Sequence, residues 1–411
     1  MALPFRDQIK DPTPAELELI ARYAMLPEDP RRERAFAAFA ESGLPHRRME
    51  AWRWTDFRAA LPDLKSPSQT AITDPFEPVK ACRILFENGA MTLPKKWPKG
   101  VRGFEKMDAQ ALGDAERMPL GALSAALSAQ KGGPSSIMLE ITEPVKTPLH
   151  FVFASTQAEA SFSRVTILVR PGASVDILES HLGGAGFSSH LLDLAVQEGG
   201  EASRTLFQSG RSDEAQAITA DVHLGAGAAL TQTVLSLGAK VSRIEMRVAH
   251  EGQGARAEMN GAYLAGDGYH VDLTSHVHHG AQACITQQTT KGAVLDGGRA
   301  IFQGKFHVPR TVGQRTEAEM GHHALLLEDG AEVFAKPELE IYADDVECAH
   351  GNTCGALDAD QIFYMRQRGI PDAQAKALLT EAFIADALET AHEATGDILR
   401  TLASDWLKAA V

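Results

Sequence analysis

Two short segments in the middle of the chain, residues 164–169 (RVTILV) and 175–178 (VDIL), decide the fold class. Both are rich in β-branched and aliphatic residues, and Gly172 supplies a turn between them, so they predict two consecutive β-strands. From about residue 81 to residue 341, runs of this kind replace the helical period. The sequence therefore predicts a mainly β middle region.

A repeat runs through this region. A glycine followed closely by a small residue opens strand-like segments at intervals of 28, 27, 27 and 26 residues, at Gly172, Gly200, Gly227, Gly254 and Gly280. Such a period is typical of a solenoid, whose coils stack because one coil cannot bury its own face. A β-sandwich also has many short strands, but the regular spacing and the shortage of long helices favour a parallel β-helix, whose open edges need caps or partners.

Helical segments flank the repeat. Thr13 and Glu16 around Pro14 have the spacing of a capping box, and helical periods return after Asp358. We therefore expect three regions, which are an N-terminal helical region with a linker (1–80), a β-helix core (81–345) and a C-terminal helical domain (346–411). The C-terminal helices have a thin core, so part of their apolar surface is expected to contact another protein.

Composition excludes several classes of protein. A net charge of -14 argues against nucleic-acid binding, and the short basic clusters at 31–34, 46–48 and 95–96 are interpreted as solvated faces. The N-terminus lacks the apolar core of a signal peptide, and no apolar run is long enough to span a membrane. Four cysteines are too few for a disulfide framework, so a cytoplasmic location with reduced thiols is expected.

Two polar motifs invite catalytic interpretations. His276 and His278 share one face of a strand, as in a cupin metal site, and His279 follows them. A cupin would supply a glutamate a few residues later, and this sequence has none there, so a polar face of the solenoid is favoured.

Asp344 and Asp345 resemble the carboxylate pair of a β-helical hydrolase or lyase. Neighbouring strand residues point to opposite faces, so a turn or cap role is favoured for this pair.

Phosphate-loop chemistry is not indicated. Gly304-Lys305 is the closest approach to such a loop, but Arg299 and Phe306 stand where a glycine and a hydroxyl are needed. The chain itself is therefore not expected to bind or hydrolyse ATP.

The sharpest candidate site is Cys348-x-His350. One intervening residue places thiol and imidazole on the same face of an extended segment, and both ligands suit iron, zinc and iron–sulfur clusters. Cys354 is near enough in sequence to be considered as a third ligand. A structural zinc site usually takes four ligands in paired spacings, and no second pair is found. Taken alone, the motif also fits a small buried thiol beside a capping histidine.

The context of this motif resembles the SufB/SufD family. The matching stretches are 43–45 (GLP), 52–55 (WRWT), 296–305 (DGGRAIFQGK), 314–316 (QRT), 324–327 (ALLL), 336–351 (KPELEIYADDVECAHG), 357–358 (LD), 363–365 (FYM) and 368–370 (RGI). The N-terminal stretches and Cys-x-His-Gly are similar to the SufD branch, because SufB has Glu-His-Glu-Ala-like residues there, a longer N-terminal region and a cysteine-rich motif.

This resemblance implies a right-handed parallel β-helix and a non-catalytic scaffold in a complex of SufB, SufD and two copies of the ATPase SufC. SufB would pair with the edge near Cys348 and His350, which would ligate or position iron or a nascent cluster. SufC would dock on the C-terminal helices through Tyr364, Arg366 and Arg368. Reduced flavin is associated with such complexes. An exposed β-helix edge made for a homologous partner also allows the chain to form a homodimer when it is alone.

The chain departs from the family pattern at Met320, His322 and Ala324, where glutamine and asparagine are usual, and at Cys354, where an aliphatic residue is usual. Two alternatives stay open. One is a β-helical carbohydrate-active or metal-dependent enzyme that uses Asp344, Asp345 or the histidine cluster. The other is a structural zinc protein.

Overall fold

The computed structural model describes residues 4–64, 72–104, 118–130, 133–156, 160–183 and 186–410. Within them the chain is mainly β, a parallel β-helix of about eight coils with helices in the N-terminal and C-terminal parts of the sequence, which confirms the predicted fold class. No helix in these ranges is both long and apolar enough to cross a bilayer.

The strands alternate between two sheets. In chain order they are β1 (Cys82–Glu87), β2 (Ala90–Thr92), β3 (Val101–Phe104), β4 (Ala129–Gln130), β5 (Gly133–Pro134), β6 (Ser136–Ile141), β7 (Leu149–Ala154), β8 (Ser161–Val169), β9 (Ser174–Leu182), β10 (Phe187–Val196), β11 (Glu201–Ser209), β12 (Ala215–Leu224), β13 (Ala229–Ser236), β14 (Val241–His250), β15 (Arg256–Ala265), β16 (His270–His279), β17 (Ile285–Val294), β18 (Arg299–Val308), β19 (Thr316–Leu326), β20 (Glu332–Ile341) and β21 (Val346–Gly355).

A ten-stranded sheet has the order β2-β1-β7-β9-β11-β13-β15-β17-β19-β21, and a nine-stranded sheet has the order β20-β18-β16-β14-β12-β10-β8-β6-β3. From β6 onward each strand pairs in parallel with the strand two further along the chain, so two strands, one per sheet, make a coil. Only β1 with β2 and β3 with β6 pair antiparallel within these two sheets. The last coil is therefore formed by β20 and β21.

In-register stacking builds the core. Val222, Val248, Val277 and Phe306 occupy one register position on four adjacent strands of the nine-stranded sheet, and all four are buried. Residues at one position of a parallel ladder face the same way, so apolar residues at the repeat spacing form a continuous stripe in the lumen. Because equivalent residues of successive coils stack in this way, they recur in the sequence at the length of one coil.

The repeat glycines serve two different purposes. Gly172, Gly227 and Gly254 have φ values of +66°, +62° and +71°, a left-handed conformation that favours glycine in the turns between sheets. Gly200 and Gly280 do not have positive φ. A Cβ atom at Gly200 would lie 3.0 Å from the Gln197 carbonyl oxygen of the same turn, and one at Gly280 would lie 2.9 Å from the His250 carbonyl oxygen of the preceding coil. Close approach of backbone oxygens therefore explains both glycines.

Most of the helices pack on the outer faces of the two sheets. They are α1 (Pro14–Ala24), α2 (Pro30–Ala40), α3 (Phe57–Ala60), α4 (Pro119–Leu127), α5 (Ala359–Gln367), α6 (Asp372–Ala385) and α7 (Glu393–Ala410), with 3₁₀ turns at Glu50–Trp52 and Asp386–Leu388. The Phe57 ring of α3 contacts Phe187 of the nine-stranded sheet with centroids 6.1 Å apart, and Phe36 and Phe39 belong to the same buried cluster. Leu388 and Leu399 belong to the cluster on the ten-stranded sheet.

Two features differ from the expected organisation. Helix α4 lies inside the region expected to lack helices, and it packs Leu123 and Ala126 with the N-terminal helices. The expected boundary of the β-helix at residue 345 falls before β21, so β structure continues to Gly355. The capping box at Thr13 and Glu16 is present as predicted.

Candidate functional site: the open terminal coil

The terminal coil leaves both sheets open at the same end of the β-helix. Strand β20 pairs only with β18, and β21 pairs only with β19, within the described part of the chain. Most residues of β20 are half-buried, and β21 is exposed from Ala349 onward. The outer edges of these two strands therefore present unpaired backbone donors and acceptors, the feature that recruits another strand.

Cys348 and His350 lie on β21 and point toward the lumen side of the coil. In the ladder Cys348 pairs with Ala318 and His350 with Met320, and both partners are buried. Because residues at one register position face the same way, the two side chains share the inner face, with no further coil above them in the described structure. Cys348 is half-buried against the core, and His350 is exposed.

The chemistry of the two groups suits a metal that arrives from outside. Burial raises the pKa of the Cys348 thiol, an effect that the Ala318 backbone N–H partly offsets. At neutral pH the sulfur is therefore protonated, and binding of a metal ion there releases a proton. Together the two side chains offer one sulfur and one nitrogen, which is fewer ligands than a closed metal site requires.

Cys354 does not join this pair. It lies on the same face of β21, beside Ala324, but six residues beyond Cys348, which corresponds to about 20 Å along a strand. Among the residues that the structure describes, no group of three or more histidine, cysteine or acidic side chains is placed to hold a metal ion. The structure thus separates Cys354 from the Cys348/His350 pair.

A hydrogen-bonded chain of two buried residues and exposed Asn352 supports the middle of β21. The Tyr263 hydroxyl lies 2.9 Å from His322 Nε2, and His322 Nδ1 lies 2.7 Å from Asn352 Oδ1. Burial lowers the pKa of His322 to about 4 and outweighs the opposing effect of the Asn352 hydrogen bond. The imidazole is therefore neutral at pH 7. The ring then donates a hydrogen bond through Nδ1–H to the Asn352 amide oxygen, and its Nε2 accepts a hydrogen bond from the Tyr263 hydroxyl. Gly292 makes room for the Tyr263 ring, which a Cβ atom would approach at 1.9 Å.

The histidine cluster of β16 is divided between two faces. His276 and His278 lie on the outer face as expected, and His278 Nδ1 lies 2.8 Å from His307 Nδ1 with the rings stacked. His279 faces the lumen, where its Nε2 lies 2.9 Å from Thr286 Oγ1. The three side chains therefore do not converge.

The acidic pair lies in a bend. Asp344 and Asp345 follow β20 and precede β21, and the Asp345 N–H donates to Gln314 Oε1 at 3.1 Å. The two carboxylates therefore lie in a connection between strands, where the sequence favours a turn or cap role for them.

Helix α5 carries the residues expected to contact an ATPase. None of its residues is buried, and Phe363 and Tyr364 expose 62% and 57% of their surface. The Arg368 guanidinium stacks 4.4 Å from the Tyr364 ring centroid and donates to its hydroxyl, whereas Arg366 lies 3.6 Å from Asp372. Phe363 is not among the contact residues predicted from the sequence, because its exposure follows only from the fold, in which α5 has no buried residue.

The N-terminal motif at residues 52–55 braces the sheet that ends in β20. The Arg243 guanidinium lies 3.8 Å from the Trp52 ring centroid and 2.9 Å from Asp272 Oδ2. The same carboxylate oxygen accepts a hydrogen bond from the Thr55 hydroxyl. Trp54 stacks on Phe334 of β20 with centroids 5.8 Å apart. The motif therefore links the N-terminal helices to the open edge.

The fold and the site together define a β-helical protein with an open terminal coil that carries a thiol and an imidazole. The family model described as SUF system FeS cluster assembly, SufBD core domain, matches residues 151–383, more than half of the 411-residue chain. The chain belongs to the SufB/SufD family, as the sequence motifs predicted.

Three relatives show how far the similarity extends. Iron-sulfur cluster assembly protein SufD of Escherichia coli is 35% identical over 157 residues, 38% of this chain and 37% of the relative. A SufBD family protein of Synechocystis is 29% identical over 265 residues, 60% of this chain and 57% of the relative. The chloroplastic protein ABCI7 of Arabidopsis thaliana is 27% identical over 273 residues, 63% of this chain and 57% of the relative. The chain thus spans 37% to 57% of these relatives.

Proposed function

We propose that the chain is a SufD-type scaffold subunit of an iron–sulfur cluster assembly complex and that it catalyses no reaction itself. The observation that carries this proposal is the open terminal coil, with Cys348 and His350 side by side on its inner face. Family membership supplies the context of cluster assembly.

The open edge fits a homologous β-helix. A SufB-like partner with the same coil dimensions can place its terminal strands beside β20 and β21, so that both sheets continue across the junction. Cys348 and His350 then contribute one half of a ligand set for iron or a nascent cluster, and the partner contributes the rest. In the absence of that partner, the same edge of a second copy is the expected occupant, which gives a homodimer.

The C-terminal helices fit an ATPase subunit. On α5, Phe363 and Tyr364 provide exposed aromatic area. Arg366 in the last turn of the helix and Arg368 at its C-cap provide charge beside this area. Aromatic and arginine side chains are the residue types that most often dominate the binding energy of protein interfaces. ATP is then hydrolysed on the SufC-like partner, and this chain receives the resulting motion through α5.

Replacing Phe363 and Tyr364 together with serine is expected to weaken binding of the SufC-like ATPase by at least about 30-fold, the effect of losing one interface hot spot of about 2 kcal/mol. The chain should still fold, because neither side chain is buried. Affinity is measured with the purified chain and the ATPase.

The control is Met25→Ser, which removes a side chain that is 73% exposed on the N-terminal helices and should leave binding unchanged. Equal affinity of the double variant and the native chain would remove α5 from the proposed interface.

A further inference from the structure

Two adjoining clefts lie beside the loop that joins α2 to α3, far in sequence from the terminal coil. Their volumes are about 330 and 470 Å³, and His46, Arg48 and Arg58 line both of them. Arg47 and Asp56 complete the charged lining of the smaller cleft. Small-molecule sites in proteins commonly have volumes of about 300 to 1,000 Å³, so the smaller cleft can hold a compact ligand.

The smaller cleft is positively charged in a chain whose net charge is -14. Three arginines line it, against one carboxylate, Asp56. That carboxylate is occupied as a helix cap, because its Oδ1 accepts the Ala59 N–H at 2.9 Å. Arg58 is balanced by buried Glu16 at 3.4 Å. The other Asp56 oxygen, Oδ2, accepts the Arg47 backbone N–H at 3.4 Å. Within the described residues, no carboxylate forms an ion pair with the Arg47 or Arg48 side chain, so these two cationic side chains remain for an external anion.

Two of the donors around the cleft, His46 and Arg58, are held in place by hydrogen bonds to backbone groups. His46 Nδ1 accepts the Arg48 backbone N–H at 3.2 Å, so the proton of the neutral imidazole lies on Nε2, which remains a donor. The Arg58 guanidinium donates to the Lys10 carbonyl at 3.2 Å, and its backbone N–H donates to the Pro45 carbonyl at 3.1 Å. Groups fixed in this way lose little freedom when a ligand binds.

The loop depends on Gly43 and Glu16. Gly43 has a φ of +67°, and a Cβ atom there would lie 2.4 Å from Glu16 Oε1. The same oxygen accepts the Leu44 N–H at 2.8 Å. The motif at residues 43–45 therefore sets the course of the chain that carries the arginines.

We propose that the smaller cleft binds an anion that carries a phosphate group, with Arg47 and Arg48 as its principal ligands and Arg58 and His46 as fixed donors. The planar guanidinium fork matches phosphate oxygens in pairs, which makes arginine suited to this anion. The inference is independent of the scaffold role, because it uses no residue of the terminal coil or of α5.

Isothermal titration of the full chain with inorganic pyrophosphate tests this site. The native chain is expected to bind one pyrophosphate saturably, and Arg47→Ala/Arg48→Ala should weaken binding about tenfold or more, because two charge-assisted donor groups are lost. Arg47→Lys/Arg48→Lys should bind with intermediate affinity, since it keeps the charge and loses the fork. Both arginines are exposed, so these variants should fold.

The matched control is Lys95→Ala/Lys96→Ala, which removes two positive charges from exposed neighbouring residues outside the cleft lining. It should bind pyrophosphate as the native chain does. The proposal is overturned if the native chain shows no saturable binding, or if both double alanine variants lose affinity equally, which would mean a general effect of net charge.

Discussion

Replacing His350 with alanine is expected to abolish cluster formation on the assembled complex without dissociating it. His350 is exposed on the inner face of β21, and its neighbour in the ladder is buried Met320. Loss of an exposed side chain usually changes stability by less than about 0.5 kcal/mol, so the effect should be on ligation and not on folding. The measurement is iron and acid-labile sulfide per complex, after anaerobic reconstitution with iron and a persulfide donor.

The matched control is Glu347→Ala, on the same strand and on its opposite, outer face. It should form clusters as the native chain does. A normal cluster yield in His350→Ala would contradict the ligand role proposed for the inner face of β21. Loss of yield in both variants would show that the strand, and not the imidazole, had been disturbed.

Replacing Arg204 with methionine is expected to lower the free energy of unfolding by about 3 to 5 kcal/mol, because it leaves a buried carboxylate without its partner. Arg204 is fully buried in the lumen, with Nε 2.7 Å and Nη2 2.9 Å from the two carboxylate oxygens of Glu179, and Nη1 2.6 Å from Gln232. Chemical denaturation of the purified chain measures the loss.

The pH dependence of this loss identifies its cause. Burial raises the pKa of Glu179, but Arg204 and His181 outweigh it and hold the pKa at about 2. A carboxyl whose pKa is lower in the folded state stabilises it above the unfolded value, and this contribution is lost as pH falls from about 4.5 toward 2. Without Arg204, Glu179 protonates more readily, so the deficit should be largest near neutral pH and shrink in acid.

A second substitution serves as the control. Arg204→Met/Glu179→Gln removes both charges, and it should recover most of the stability lost in the single variant. If the double variant were as unstable as Arg204→Met, lost packing rather than an unpaired charge would explain the effect.

The sequence was most informative where one residue type recurs at one register position. The spacing of Gly172, Gly227 and Gly254 predicted stacked coils, and the buried ladder from Val222 to Phe306 shows why the spacing is regular. Each coil must return to the same place for its apolar residues to meet those of the next coil.

Helix α4 and strand β21 are not predicted from the sequence, because their residues carry only weak helix and strand signals. Helix α4 is nine residues long, and its N-cap residue, Met118, makes no side-chain hydrogen bond, so no capping motif marks its start. Strand β21 (VECAHGNTCG) contains glycines and polar residues, and it is extended because it pairs with β19 along ten positions. Tertiary pairing outweighs intrinsic preference there.

Part of the candidate site could be predicted from the sequence, and part of it is visible only in the structure. A spacing of one residue was enough to predict that Cys348 and His350 share a face, because the side-chain period of a strand is two. The same rule places Cys354 on that face, but only the extended strand shows that it is about 20 Å away. The Tyr263–His322–Asn352 chain joins residues as much as 89 positions apart (263 to 352), which meet only because the coils stack.

The most direct test of the scaffold role is co-expression of this chain with its genomic neighbours, followed by purification through this chain and determination of the native mass. We expect one complex that contains the chain, a SufB-like homologue and a SufC-like ATPase. A chain that purifies alone, while both candidate partners are present and folded in the same extract, would contradict it.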